Sequence, residues 1–311
     1  MENSIFSAFF WFLARILELI LSFPLALWEE IRAKRKFVKG KVVVITGAAQ
    51  GIGYRVAERF ASLGAKICML DINEDLIRDS ARVLSDIYAN VYSYQCDVSS
   101  YESMNNVAKR IQDDPQLETP SIVLCNAALY KPKAIMDLTN EDIKQTFEVN
   151  TMGVFWTIRA FLPSMLKENS GHIAVMSSMT AYHPESYNTC YYASKLAVRG
   201  IMDSLKLELH DKHIHNIKLT TIFPYFVDTS MTQQGRIEQK FFALTPVLTA
   251  DEAAEGTVDA ILKDKTHQFV PGHMRFFLKF IEPILPYRTL LVFRKLFGVM
   301  YKLEKYLTKE N

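Results

Sequence analysis

The chain has 311 residues, enough for one large α/β domain with short additions and too few for two full catalytic domains. Its 49% hydrophobic and 23% charged residues are ordinary for a globular protein, and a net charge of +2 offers no footprint for nucleic acid. Its four cysteines, Cys68, Cys96, Cys125 and Cys190, lie far apart without a C-x-x-C pair, so no zinc site is readable and a reducing compartment fits better than a disulfide framework.

Residues 1–28 carry a nearly continuous apolar run from Ile5 to Leu27, read as a membrane-anchor helix. Arg15 and Glu18 interrupt it at a cost of about 3 kcal/mol each at mid-bilayer. They are three apart, so they can pair on one helix face; alternatively the helix lies in the membrane interface instead of spanning. Pro24 is expected to bend or end the segment. Residues 29–39 form a basic juxtamembrane linker with Arg32, Lys34, Arg35, Lys36 and Lys39. By the positive-inside rule this flank puts everything downstream in the cytosol.

From Gly40 to Gly272 short β-branched runs alternate with helix-period segments. Strands are predicted at Val42–Ile45, Ile67–Leu70, Val91–Tyr94, Ile122–Leu124, Ile173–Met176, Leu219–Ile222 and Phe269–Val270, with helices such as Tyr54–Leu63, Leu76–Ile87, Val154–Lys167 and Ser194–Leu209 between them. Apolar strands separated by helices predict one α/β domain, a doubly wound parallel sheet of Rossmann type covered on both faces.

The first strand runs into Thr46-Gly47-Ala48-Ala49-Gln50-Gly51-Ile52-Gly53. Glycines there allow a tight turn and a close approach of pyrophosphate to backbone N–H groups at a helix N-terminus. Asp71, at the end of the second strand, stands where a carboxylate accepts from ribose hydroxyls and repels a 2′-phosphate, which points to NAD over NADP. Tyr191 and Lys195 sit four apart at the start of a helix and share one face; Tyr192 has Leu196 at that offset. An ammonium and a pyridinium near Tyr191 favour its phenolate, making it a general acid/base near neutral pH. Ser178, just after a strand, can hydrogen-bond the substrate oxygen as charge develops on it. His210, His213 and His215 are read as a solvated helix end rather than a metal site.

Together these residues resemble the classical short-chain dehydrogenase/reductase family. The likeness implies that Asp97 and Val98 contact adenine and that Cys125-Asn126-Ala127-Ala128 is the NNAG element. It further implies a catalytic tetrad of Asn150, Ser178, Tyr191 and Lys195, with Lys195 also binding ribose and Asn150 positioning a water. Pro224 to Thr229 would match the PGxVxT element, with Pro224 and Val227 beside the cofactor and Thr229 on the carboxamide. Ala128, Ala181 and Tyr225 stand where glycine is commoner; none removes a reacting group. The N-terminus, "FEVNTMGVFWTIRAFLPSM" and "SGHIAVMSS" resemble the membrane and lipid-droplet 17β-hydroxysteroid and retinol dehydrogenase branch. That implies a lipophilic small-molecule substrate, a steroid, retinol or related lipid, handled by a homodimer on endoplasmic reticulum or lipid droplets. An NADPH-linked carbonyl reductase and a non-catalytic surface scaffold are the alternatives. Substrate choice is assigned to the loops near Leu129–Lys133, Tyr182–Thr189 and Met231–Leu248.

Residues 273–311 change character. Leu290, Phe293, Phe297 and Met300 recur at helical spacing among Arg294, Lys295 and Lys302. Such a basic amphipathic helix suits an anionic membrane or the rim of a substrate mouth, and equally suits packing on the protein's own core or a second subunit.

Overall fold

The computed structural model describes residues 2–233, 237–239, 247–297 and 299–301. It divides into two units, Met1–Lys36 and Phe37–Asn311.

The first unit is one helix, α1 (Glu2–Arg32). It continues through Pro24, because a proline interrupts only the hydrogen bond of its own nitrogen and the turns on either side hold. Phe10, Trp11, Leu19 and Ile20 are exposed on it. Arg15 and Glu18 pair at 2.5 Å, and the Arg32 guanidinium lies 4.0 Å from the Trp28 ring centre. Among the described residues no helix is long and apolar enough to cross a membrane.

In the second unit β1 (Val42–Thr46), α2 (Gly51–Ser62), β2 (Lys66–Asp71), α3 (Glu74–Ser85) and β3 (Val91–Gln95) build one half of a parallel sheet. The chain then returns through α4 (Tyr101–Gln112) to β4 (Ile122–Cys125), α5 (Asn140–Phe147), a wide π-turn (Glu148–Met152), α6 (Gly153–Glu168), β5 (Gly171–Met176), α7 (Thr189–Asp211) and β6 (Ile217–Pro224). After a short α8 (Ser230–Gln233) and β7 (Ile237–Gln239), α9 (Ala250–Leu262) and β8 (His267–Val270) complete the sheet. The strand order is β3-β2-β1-β4-β5-β6-β8, all parallel, and all seven expected strands are present. The order in which strands are added reverses between β1 and β4, which opens a crevice at their carboxyl ends.

The inner strands β1 and β4 are buried at every position and almost wholly apolar because both of their faces are covered. Val43 and Ile45 join a core with Phe60, Ile67, Met69 and Ile261, while Val42 and Val44 join another with Leu70, Ile158, Phe161 and Val198. The helices are started by their own sequence: Asn73, Ser100, Thr139 and Thr249 cap α3, α4, α5 and α9, the last two as capping boxes.

The tail begins as α10 (Met274–Phe276), another π-turn (Phe277–Ile281) and a 3₁₀ turn (Glu282–Ile284). Leu278 packs in a small core with Met179, Ala181, Phe223 and Phe269, so this stretch docks on the catalytic domain itself. α11 (Tyr287–Phe297) follows, but Met300 departs from the expected helix. It lies in β9 (Val299–Tyr301), which pairs antiparallel with β7; strand partners satisfy its backbone where a helix would have to continue. The exposed rings of His213 and His210 lie 6.4 and 5.9 Å from that of His215, and among the described residues no side-chain group is suited to hold a metal. All four cysteines are free and buried.

Candidate active site

The crevice between β1 and β4 is bounded first by the glycine turn. Gly47 and Gly51 have φ of +64° and +60°, a region that favours glycine. A Cβ on Gly47 would lie 2.7 Å from the Ala127 Cα. On Gly53 it would run into the Gly47 carbonyl oxygen and come within 2.6 Å of the Asn126 amide nitrogen. The turn is therefore in close contact with the start of α2 and with the segment just after β4. Gly53→Ala is expected to cost about 2 kcal/mol, seen as a Tm lower by roughly 5 °C, and to weaken nucleotide binding at least tenfold. Thermal unfolding and a binding titration check it.

Thr46 and Asn126 lock the same corner. The Thr46 hydroxyl accepts from the N–H groups of Asn126 (3.0 Å) and Ala127 (3.1 Å), and the Asn126 amide donates to the carbonyls of Thr46 (3.0 Å) and Gly47 (2.9 Å). Gln50 occupies the N-cap of α2 without a side-chain cap bond, and the first turn carries no acid. Most other helices in the sheet are capped by their own side chains; this one directs unshared N–H groups and a partial positive charge at the crevice. That arrangement fits a dinucleotide pyrophosphate.

Farther along the wall, Asp71 accepts from Ala49 N (3.2 Å) and Asn73 N (3.1 Å), which fixes its carboxylate at the mouth of the turn. Asp97 is held by Ser99, whose N–H and hydroxyl donate at 2.9 and 2.6 Å. Gly47, Gln50, Gly51, Ile52, Asp71, Asp97, Val98, Asn126 and Ala127 all line one cleft with Ser178, Tyr191, Lys195, Pro224, Val227 and Thr229. Thr46, Gly53 and Asn150 stand behind that wall and support it.

The chemical end gathers residues from β5, α7 and the π-turn. Lys195 is 2% exposed and donates to the Met176 carbonyl at 2.8 Å; its nitrogen lies 5.6 Å from the Tyr191 ring centre. Burial pulls its ammonium down to about 8. Ser178 and Tyr191 line the cleft together. The Tyr191 ring is partly exposed, yet the protein around its hydroxyl pushes the phenol above its ordinary value of 10, against the pull of Ser178. The protein alone thus does not draw this phenol toward neutrality: desolvation outweighs the opposing pull of Ser178. Asn150 likewise holds protein. Its oxygen accepts from Leu129 N at 2.6 Å, and its amide donates to Leu129 O (2.9 Å) and Ser194 Oγ (3.0 Å). The wide turn at Glu148–Met152 aims it inward.

Sequence reasoning missed Tyr130, which meets Tyr191 edge-on with ring centres 5.1 Å apart, and Ser177, whose hydroxyl donates to the Lys195 carbonyl at 3.0 Å. Tyr130 lies in one of the loops assigned to substrate choice; nothing in the spacing marks Ser177. Within the Met231–Leu248 loop, Met231 and Thr232 line the cleft, while 234–236 and 240–246 lie outside the described residues.

The family model for short chain dehydrogenase matches residues 41–240. The chain is 32% identical to human estradiol 17-beta-dehydrogenase 11 over 271 residues, 87% of this chain and 88% of that protein. It is 30% identical to human epidermal retinol dehydrogenase 2 over 278 residues, 89% and 88% of the two chains. A short-chain dehydrogenase/reductase from Burkholderia phymatum, solved with NAD, superposes with a TM-score of 0.71 at 23% identity over 80% of this chain and 95% of that one, a likeness of fold alone. The helix-flanked parallel sheet, the glycine turn and these matches lead to one statement: the chain belongs to the short-chain dehydrogenase/reductase family of oxidoreductases, in the branch of these hydroxysteroid and retinol dehydrogenases.

Proposed function

We propose that the protein interconverts a lipophilic alcohol and its ketone or aldehyde with NAD as hydride carrier, working from a lipid surface. The observation that carries the reading is the meeting of Ser178, Tyr191 and Lys195 on the wall of the glycine-turn cleft. The nicotinamide ring supplies a hydride acceptor. Tyr191 takes the hydroxyl proton at its phenolic oxygen during oxidation and returns it during reduction. Ser178 donates a hydrogen bond to the substrate oxygen while charge moves onto it. Lys195, anchored on the Met176 carbonyl, holds the ribose side and keeps a positive charge near the phenol. Asn150 fixes Leu129 and Ser194, and so sets the line of the wall rather than touching substrate.

Asp71 supports NAD, since its carboxylate, held by two backbone N–H groups, cannot swing away from a 2′-phosphate. Asp71→Ala is expected to shift the kcat/KM ratio of NADP to NAD upward by about 100-fold, the loss of roughly one close like-charge contact. The exposed side chains of α1, with Trp28 beside Arg32 and the Arg15–Glu18 pair, support lying in the interface of endoplasmic reticulum or lipid droplet. Retinol, steroids and long-chain alcohols partition into lipid, so a surface-held mouth meets them concentrated.

The decisive experiment measures NADH formation from a panel of retinol, steroids and fatty alcohols in lipid emulsion, wild type against Tyr191→Phe. Tyr191-dependent turnover upholds the proposal. Faster turnover with NADP makes it a carbonyl reductase, and cofactor binding without turnover of any member makes it a scaffold.

A further inference from the structure

A small cavity of about 70 Å³ adjoins the cleft at Ser178 and Tyr191, which line both. It falls well short of the roughly 300–1,000 Å³ of a site that encloses a drug-sized ligand. It is smaller, too, than the roughly 150 Å³ that takes up one benzene ring. The chemistry makes this bore decisive. Ser178 and Tyr191 claim the oxygen of the reacting carbon, and one hydrogen leaves as hydride, so two substituents remain to be housed. In a primary alcohol these are a hydrogen and a chain; in a ring alcohol both are carbons, tied together farther on.

Tyr225 stands at the junction and lines both the cleft and the cavity. Its N–H donates to the Val270 carbonyl at 2.8 Å, and its ring meets Phe226 edge-on with centres 4.9 Å apart. Its side chain packs against the core of Val43 and Ile45 and also against the small core of Met179 and Leu278. Met179 and Tyr130, both buried, add further wall, the second braced on Tyr191. The polar groups on the same wall are answered within the protein. His183 Nδ1 donates to Glu282 Oε1 at 2.8 Å, and its Nε2 faces Glu185 Oε1 at 3.7 Å. Walls held from so many sides cannot step aside for a wider guest without disturbing a packed core.

We propose that Tyr225 is a specificity-determining residue, narrowing the space beside Tyr191 so that a reacting carbon with one chain enters and one within a ring does not. The substrates are then primary lipophilic alcohols and their aldehydes, and ring alcohols are turned away by a clash rather than by weaker attraction. Only the first carbons of the chain have to pass the narrow space. The inference rests on the dehydrogenase reading above and specifies its substrate class.

The test compares n-dodecanol with cyclododecanol, which has the same number of carbons closed into a secondary ring alcohol, as substrates of the full chain. Wild type should favour n-dodecanol in kcat/KM by at least about 10-fold. Tyr225→Ala should raise kcat/KM for the ring alcohol at least about 10-fold and bring the ratio to within about 3-fold of unity; Met179→Ala should raise it at least about 3-fold. A gain on the ring alcohol cannot come from a damaged fold, which would lower both rates. Equal kcat/KM for the two in wild type, a preference for the ring, or a ratio that Tyr225→Ala does not move overturns the inference and leaves the dehydrogenase reading intact. Should neither alcohol be oxidised, affinities of the protein–NADH complex for the two compounds decide. A Tyr225-dependent preference for the chain upholds the narrow space although the proposed reaction fails, and any other result overturns both.

Discussion

Tyr191→Phe should lower kcat/KM by roughly 10³- to 10⁴-fold while leaving NAD affinity within about 3-fold, since general acid–base transfer by one positioned group contributes on this scale. The substitution removes one oxygen and keeps the ring against Tyr130, so the cleft keeps its shape. The same phenol sets a pH signature. Burial raises it above 10 in the protein alone, so through the neutral range it is mostly protonated and its phenolate fraction grows about tenfold per pH unit. Oxidation needs the phenolate, so log kcat/KM for oxidation should climb with pH at a slope near 1, whereas reduction, which needs the phenol, should stay flat over the same range. Ser178 opposes the upward shift, and its loss should move the oxidation profile to higher pH. A pH-independent oxidation rate that survives Tyr191→Phe would sink the acid–base assignment.

Lys195→Met should abolish turnover, by 10²-fold or more, and yet raise Tm. Folding takes the Lys195 ammonium from an ordinary 10.5 to about 8, because burial disfavours its charge. Between pH 8 and 10.5 the unfolded chain therefore holds a proton that the folded chain has released. Stability rises with pH across that window, and below pH 8 the whole burial cost is present. That displacement of the ammonium corresponds to about 3 kcal/mol. Methionine removes that cost and fills similar space, but deprives the Met176 carbonyl of its donor at about 1 kcal/mol. The net gain of about 2 kcal/mol should appear as a Tm higher by roughly 4–8 °C at pH 7, shrinking above pH 8. Thermal scans at several pH values read both parts. A lower Tm at pH 7 would mean that the amine holds the fold together instead of straining it.

The parallel sheet was legible because its information is local. A run such as Val42 to Ile45, buried on both faces, can hardly be anything but an inner strand, and the glycine turn and Asp71 follow from their distance to such strands. The Tyr191–Lys195 pair was legible from helical spacing, but the force between them was not, because desolvation depends on what packs around a group and no spacing reports that. Asn150 illustrates the same limit: its partners Leu129 and Ser194 are 21 and 44 residues away, and only the folded chain brings them together. Pro24 and Met300 differ from expectation in different ways. The helix does not end at its proline, whereas Met300 keeps helical spacing on paper while strand pairing decides its conformation. The link from His183 to Glu282 joins the loop before α7 to a tail that the sequence left without a fixed place.

The alternation of strand side chains between two cores has a consequence for how the catalytic groups are kept in register. Peeling the layer of α2, α3 and α9 from the sheet would wet Val43 and Ile45, and peeling the layer of α4, α6 and α7 would wet Val42 and Val44, so each layer depends on the ribbon the other one keeps dry. Neither half of the sandwich can melt by itself. The nucleotide turn hangs from one end of that ribbon and Lys195 from a helix laid across it, so the distances between them persist for as long as the whole domain remains folded.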